Sequence, residues 1–212
     1  GIHVNVDKKE GAKYLKISAD LGNTDAMVKY SILLMDENEI VYNMKEAIFY
    51  IKKAVDLENI EAEIIYRDNK NDFDLFNSAL KAKNLKIYAD SGDINSMYLY
   101  GVMLYTGDGI EVNKKEAAKY FKAASEKGNI NSMYCYATML LSGDIIPKET
   151  EKALNYLKFS ADNGNTESMY KYGRILYDGN ETLQNKEEAA HYFKKAADLD
   201  NVDSMLQYGI ML

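Results

Sequence analysis

Hydrophobic residues recur along this chain with the spacing of amphipathic α-helices, and short polar turns separate one helix pattern from the next. Between Thr106 and Gly143, one pattern with a stripe of small and apolar residues ends at Gly128, and a second pattern ends at Gly143. Residues at i, i+3, i+4 and i+7 lie on one face of a helix, so each pattern predicts a helix with one buried face. Gly128 can adopt the left-handed conformation that ends many helices, and we expect Ser132 or Asn131 to cap the second helix.

This helix pair repeats along the chain with a period of 34 to 36 residues. The positions that end the first helix of each pair, called the marker positions below, are Gly22, Glu58, Gly92, Gly128, Gly164 and Asp200. A large apolar residue stands seven positions before each marker: Leu15, Ile51, Leu85, Phe121, Leu157 and Phe193. Such a period is typical of helical solenoids, in which a single pair cannot bury its apolar face alone.

The period predicts an all-α fold, an α/α solenoid that forms a right-handed superhelix of about six tandem helix–turn–helix repeats. We expect a single domain over residues 1–212, with repeats at about 7–43, 44–72, 73–113, 114–148, 149–185 and 186–212.

Two further columns of the repeat predict how neighbouring helices pack. Nine positions after the markers the residues are mostly small: Ser31, Arg67, Gly101, Ala137, Gly173 and Gly209. A mid-helix Gly costs about 1 kcal/mol relative to Ala, so its recurrence predicts that another helix approaches too closely for a side chain. Eight positions before the markers stand Tyr14, Tyr50, Asn84, Tyr120, Tyr156 and Tyr192, and we expect the tyrosines to pack between repeats.

The second repeat is the least regular. Glu63 and Arg67 occupy columns that are apolar or small elsewhere, and the second helix of this repeat is predicted to be short, from about 61 to 66. The polar stretch 67–72 predicts a loop, followed by one long helix over 73–90. A degenerate repeat is the favoured interpretation, and a bend or a special surface is the alternative.

Composition narrows the class of protein. The chain has 212 residues, 47% of them hydrophobic, and a net charge of −7, which argues against a nucleic-acid surface. A single cysteine, Cys135, excludes an internal disulfide, and no apolar run approaches the ~20 residues of a membrane-spanning helix. Gly1 in place of Met and an end at Leu212 inside a helix pattern indicate a fragment of a longer protein. The single Cys and the absence of a visible signal peptide favour a cytoplasmic location.

Few residues have the pattern of a catalytic or metal site. His3 lies near the terminus, His191 lies on a charged helix face, and Cys135 has no basic cluster beside it. The acidic stretch 36–39 lacks the spacing of a calcium loop, and 107–109 is a turn without the frame of a phosphate-binding loop. We therefore expect no catalytic residue, no metal site and no cofactor.

The repeated pattern resembles the Sel-one-like repeat family, a branch of the tetratricopeptide-like helical repeats. The resemblance is carried by KEAAKYFKAASEKGNINSMYCYATMLLSG and its copies KALNYLKFSADNGNTESMYKYGRILYDG and EEAAHYFKKAADLDNVDSMLQYGIML. It covers essentially the whole chain and is weakest over 60–80. It implies a non-enzymatic adaptor that assembles protein complexes. Some secreted members carry a disulfide in each repeat, a property that this chain's single Cys does not support.

The resemblance also implies that the second helices of the repeats line a concave groove that binds a protein or peptide. The predicted groove residues are Tyr98, Val102, Tyr105, Tyr134, Thr138, Leu141, Tyr170, Arg174 and Tyr177. The equivalent positions of the first repeat include Val28. Acidic residues at the helix starts, such as Glu167, favour a partner with basic residues beside apolar anchors. The alternative is that these tyrosines pack between repeats and contact no ligand.

Other interpretations stay open. The position that holds Asn in carboxylate-clamp tetratricopeptide domains holds Lys29, Leu99, Cys135, Lys171 and Gln207 here, which argues against a clamp for a chaperone tail. The chain is predicted to insert into no membrane and to bind no nucleic acid. The alternative functions are a regulatory or targeting arm of a larger enzyme, and a self-associating structural array.

Overall fold

The regular secondary structure of the described residues is entirely α-helical. This computed structural model describes residues 8–37 and 41–212. Its twelve helices are α1 Lys8–Asp20, α2 Thr24–Met35, α3 Met44–Asp56, α4 Ile60–Asp68, α5 Lys70–Asp90, α6 Ile94–Thr106, α7 Lys114–Glu126, α8 Ile130–Ser142, α9 Thr150–Asp162, α10 Thr166–Asp178, α11 Lys186–Ala197 and α12 Val202–Met211. Odd-numbered helices are the first members of the pairs and even-numbered helices the second, so the predicted all-α class with six helix pairs is confirmed.

The chain divides into two compact units between Ser78 and Ala79, within α5. The core of the first unit includes Ile51 and Phe73, and the core of the second includes Phe121. Each unit therefore has a hydrophobic core of its own. A single domain over 1–212 stays a prediction.

The marker positions end the first helix of every pair, as predicted. All six residues have a positive φ, from 60° at Glu58 to 102° at Gly92. This left-handed conformation costs a residue with a Cβ about 1–2 kcal/mol, whereas Gly adopts it readily. Four markers are thus Gly, and the backbone is strained at the two others, Glu58 and Asp200.

The residue after each marker caps the following helix. The side chain of Asn129 accepts a hydrogen bond from the backbone N–H of Ser132 at 2.8 Å. The prediction that Ser132 or Asn131 would cap α8 is therefore wrong, because Asn129 is the last extended residue before the helix and its amide oxygen reaches the third helical N–H. The equivalent caps are Asn23, Asn59, Asp93, Asn165 and Asn201.

The predicted loop over 67–72 is helical. The backbone N–H of Asn69 donates to the carbonyl of Ile65 at 3.0 Å, and the N–H of Phe73 donates to the carbonyl of Asn69 at 3.0 Å. Helical hydrogen bonding thus continues on both sides of Asn69, the residue between α4 and α5. Since the stretch contains neither Gly nor Pro, its polar residues can remain helical while they face solvent.

Tyrosines of the first helices join successive repeats, as predicted. The hydroxyl of Tyr120 in α7 donates to the Asp90 carboxylate of α5 at 2.6 Å, and its ring meets Tyr100 edge-on at a centroid distance of 5.0 Å. The same hydroxyl–carboxylate bond recurs in two other pairs: Tyr50 with Asp20, and Tyr192 with Asp162. Tyr14, in α1, is 63% exposed, so the prediction that it packs between repeats is wrong. The other tyrosines of this column contact the preceding helix pair, and the described residues begin with α1.

Candidate binding groove

Two adjoining hollows lie along the second helices of the second unit. The first, which we call the aromatic hollow, has a volume of about 370 Å³ and lies between α6 and α8. It is lined by Val102, Tyr105, Phe121, Tyr134, Cys135, Thr138 and Met139. The second, which we call the charged hollow, has a volume of about 490 Å³ and lies between α8 and α10. It is lined by Thr138, Leu141, Ser142, Tyr170, Lys171, Arg174, Ile175, Asp178, Asn180 and Glu181.

Most of the predicted groove residues line these hollows. The structure brings together Val102, Tyr105, Tyr134, Thr138, Leu141, Tyr170 and Arg174. The remaining two, Tyr98 and Tyr177, line neither hollow. Val28, the equivalent residue of the first repeat, is buried in the core of the first unit, so its prediction as a groove residue is wrong. Its apolar side chain belongs to the same buried cluster as Leu34 and Ile51, which removes it from solvent.

The tyrosines of this surface differ in burial. The rings of Tyr98 and Tyr170 are partly buried, with centroids 6.3 Å from Phe121 and 6.1 Å from Phe193 respectively. Burial raises the pKa of Tyr98 above its usual value. Tyr105 is 41% exposed and its ring lies 5.1 Å from the ammonium of Lys114. Tyr98 and Tyr170 therefore contribute to the core, while Tyr105 offers an open aromatic surface.

Thr138 is the residue that the two hollows share. Its hydroxyl donates to the carbonyl of Cys135 at 2.7 Å and lies 3.1 Å from the carbonyl of Tyr134, both within α8. Such bonding of a Thr hydroxyl to the preceding helical turn is common. Because the hydroxyl is satisfied within its own helix, Thr138 can be replaced without leaving a polar partner unpaired elsewhere.

The charged hollow combines an ion-paired rim with a cationic side chain. Arg174 lies 3.4 Å from the Asp178 carboxylate and donates to the Tyr170 hydroxyl at 3.4 Å. Glu181 accepts from the ammonium of Lys148 at 2.9 Å. Lys171 also lines this hollow, although the sequence had not predicted it as a groove residue. Lys171 stands three positions before Arg174 in α10, and residues three apart are neighbours on a helix surface, so the spacing indicates its place but not whether its ammonium has a partner.

The residues with potential for catalysis or metal binding offer little chemistry. Burial raises the pKa of the Cys135 thiol to about 11, so it stays protonated at neutral pH. His191 is exposed beside Tyr192, and His3 lies outside the described residues. Over residues 8–37 and 41–212, the structure groups no three His, Cys, Asp or Glu side chains in a way that suits a metal ion. In that same part of the chain, every helix is too short or too polar to cross a membrane.

Helix pairs that repeat about every 36 residues, with the same caps and junctions, define an α/α repeat protein. The Sel1 repeat family model matches residues 1–23, 24–59, 94–129, 130–165 and 166–201, which together make up more than half of the sequence. The chain therefore belongs to the Sel1 repeat family. The matched segments omit 60–93, the region of α4 and α5 that is also the least regular in sequence. Sel1 repeat proteins generally act as non-catalytic scaffolds for protein–protein interaction.

Solved structures share this fold. The crystal structure of c5321, a protective antigen present in uropathogenic Escherichia coli strains, matches with a TM-score of 0.61 and 21% identity over 98% of this chain and 44% of that chain. A Sel1 repeat protein from Oxalobacter formigenes matches with a TM-score of 0.54 and 24% identity over 60% of this chain and 96% of that chain. Helicobacter pylori cysteine rich protein B matches with a TM-score of 0.50 and 20% identity over 60% of this chain and 94% of that one.

The chain thus spans less than half the length of the Escherichia coli structure. No curated protein matches this sequence. At these identities the similarity establishes the fold alone.

Proposed function

We propose that this chain is a non-catalytic interaction scaffold that binds a segment of a partner protein across the aromatic and charged hollows. The observation that carries the proposal is that the two hollows adjoin at Thr138 and belong to successive repeats. A ligand that fills both must be elongated, which suits a peptide segment of a protein. Membership of the Sel1 repeat family supports the same class of function.

The lining of the aromatic hollow suits an apolar anchor side chain. Tyr105 and Tyr134 contribute rings, while Val102 and Met139 contribute aliphatic and thioether groups. Tyrosine is favoured at binding surfaces because it offers a large contact area with few rotatable bonds and a polar tip. Burial of one Leu- or Phe-sized anchor here would supply about 1.5–3 kcal/mol of the binding free energy.

A peptide selection tests the proposal directly. A phage-displayed library of random dodecapeptides is selected on the purified chain, and the selected peptides are titrated by fluorescence polarisation. Tyr105→Ser removes an exposed ring from the aromatic hollow, and Thr138→Gln places a longer neutral side chain at the shared wall. Tyr88→Ser is the control, since Tyr88 is 59% exposed and lines neither hollow.

We expect Tyr105→Ser and Thr138→Gln to weaken peptide binding by about tenfold or more, which corresponds to about 1.4 kcal/mol, and Tyr88→Ser to leave it unchanged. Circular dichroism establishes that each variant is folded. Selected peptides that bind all variants equally, or a failure to select any peptide, would contradict the proposal.

Self-association is a second candidate, favoured by the exposed apolar surface of α12. Leu206 is 61% exposed and Ile210 64% exposed, and both lie on one side of that helix. Sedimentation velocity over a hundredfold range of protein concentration tests this candidate. A sedimentation coefficient that rises with concentration in the wild type but not in Leu206→Glu would support it, and a constant monomer would rule it out.

A further inference from the structure

The charges around the charged hollow are not equivalent, because its carboxylates have partners and one ammonium has none among the described residues. Asp178 is bound by Arg174, and Glu181 is bound by Lys148 at 2.9 Å. Glu181 also accepts from the hydroxyl of Thr150 at 3.3 Å. The carboxylates that line this hollow are thus engaged by groups of the chain itself.

Lys171 differs from these residues. It lines the charged hollow, and within residues 8–37 and 41–212 no ion pair or hydrogen bond joins its ammonium to another side chain. Glu167 lies one helical turn before it, but that carboxylate accepts from the side-chain amide of Asn201 at 3.4 Å and lines neither hollow. The ammonium of Lys171 is therefore available to a ligand.

Arg174 adds a second donor on the same side of α10. Its side chain is 44% exposed while its guanidinium contacts Asp178 and the Tyr170 hydroxyl. These contacts use two of its terminal nitrogens at the long distance of 3.4 Å, and a guanidinium carries five N–H donors in total. Arg174 can therefore donate to a bound carboxylate while it keeps its own contacts.

We infer that the partner segment carries an acidic side chain a few residues from its apolar anchor, and that its carboxylate binds Lys171 and Arg174 in the charged hollow while the anchor fills the aromatic hollow. This inference rests on the proposed function. It differs from the expectation of a basic partner, which was drawn from acidic residues at the helix starts. Those residues lie outside both hollows, whereas Lys171 and Arg174 line one of them.

The existing ion pairs around the charged hollow explain why an acidic side chain of the partner is favoured over a basic one. A Lys or Arg of a partner would meet carboxylates whose charge Arg174 and Lys148 already balance, so an added ion pair there gains less. A carboxylate of the partner meets the ammonium of Lys171, whose charge no carboxylate of the described residues balances. Charge matching of this kind contributes chiefly to specificity.

The test is a charge exchange on peptides from the same library selection. Lys171→Glu reverses the charge in the hollow, and Lys119→Glu makes the same change of net charge on the exposed face of α7. The probes are one selected dodecapeptide and its variants in which each Asp or Glu is replaced in turn by Gln or Lys. Binding is measured by fluorescence polarisation at low and high salt.

We expect the selected peptides to be enriched in Asp or Glu and to lose about tenfold in affinity on Lys171→Glu but not on Lys119→Glu. A peptide with Lys at the critical position should recover binding to Lys171→Glu, and the wild-type interaction should weaken with salt. Peptides that depend on Tyr105 and Thr138 but ignore the charge at position 171, or that are enriched in Lys and Arg, would overturn this inference alone. A failure to select any peptide would overturn it together with the proposed function.

Discussion

A Cβ atom on Gly101 of α6 would lie 2.8 Å from Cε1 of Phe121 in α7. Carbon atoms in packed interiors lie about 3.5–4.0 Å apart, so no side chain fits at Gly101 while the Phe ring keeps its position. Gly173 has the same relationship, with Cε1 of Phe193 at 3.0 Å. At the equivalent positions of the repeat between them, the chain has Ala137 in the Gly column and the smaller Leu157 in the apolar column.

The Gly–Phe and Ala–Leu combinations predict a compensating pair of substitutions. Gly101→Ala should destabilise the chain by about 1–2 kcal/mol, because overpacking outweighs the gain in helix propensity. Adding Phe121→Leu should recover most of that loss, since the smaller side chain removes the clash. Urea unfolding of the wild type, both single variants and the double variant measures the coupling free energy directly.

Gly209 provides the matched control, because it occupies the same column in α12 and no atom of the described residues lies within 4 Å of an added Cβ. Gly209→Ala should leave stability unchanged or raise it by up to about 1 kcal/mol. If Gly101→Ala were tolerated as well as Gly209→Ala, close packing would not be the reason for Gly in this column.

The close approach at Gly101 could be predicted from the sequence because the period placed a small residue at a fixed distance from each marker. The same reason applies to the pairing of helices, the marker turns and the tyrosine contacts between repeats. Six copies of the repeat show at which positions one type of residue recurs. The boundary at Asn69 could not, since polarity of 67–72 indicates exposure and exposed residues can be helical as well as looped.

The candidate site was predictable only in part. The helical stripe identified Tyr105, Tyr134 and Thr138, but helical spacing does not give the depth of a residue, and Val28 in the same stripe is buried. Lys171 was missed because the sequence does not reveal which charged side chains lack a partner. Whether Lys171 has a partner depends on how Arg174 and Lys148 are placed relative to the carboxylates of Asp178 and Glu181.

Ser132 and Ser168 occupy the same column but differ in hydrogen bonding, which predicts opposite effects of substitution by Ala. Among the residues that the structure describes, the buried hydroxyl of Ser132 has no hydrogen-bond partner, whereas the hydroxyl of Ser168 donates to Ser160 Oγ at 2.8 Å. Ser132→Ala should be neutral or stabilise the chain by about 1 kcal/mol, and Ser168→Ala should destabilise it by about 1 kcal/mol. Urea unfolding of the two variants checks the difference, and equal effects would contradict the assignment.

The two markers that are not Gly predict stabilising substitutions. Glu58 and Asp200 have φ values of 60° and 63°, and replacing either with Gly should raise stability by about 0.5–1 kcal/mol because backbone strain is relieved. Glu58→Ala is the control, since it removes the carboxylate and keeps the strained backbone. Conversely, Gly128→Ala should cost about 1–2 kcal/mol although its added Cβ meets no atom within 4 Å. Thermal unfolding of all four variants measures these changes in stability. If Glu58→Ala were stabilised as much as Glu58→Gly, the strain argument would be wrong.

The hydrogen bond between Tyr120 and Asp90 predicts a stability contribution that disappears at alkaline pH. Burial, together with the bond to the Asp90 carboxylate, raises the pKa of Tyr120 to about 12 from its usual value of about 10. Because the folded state favours the neutral phenol, this contribution is complete below about pH 10 and is lost as pH rises towards 12.

Tyr120→Phe keeps the edge-on ring contact with Tyr100 and removes the hydroxyl. At pH 8 the wild type should therefore be more stable than Tyr120→Phe, and at pH 11 the difference should shrink or reverse. Urea midpoints at both pH values measure this, with the exposed Tyr88→Phe as the control that should follow the wild type. A constant difference between wild type and Tyr120→Phe at the two pH values would show that the hydroxyl does not couple folding to proton release.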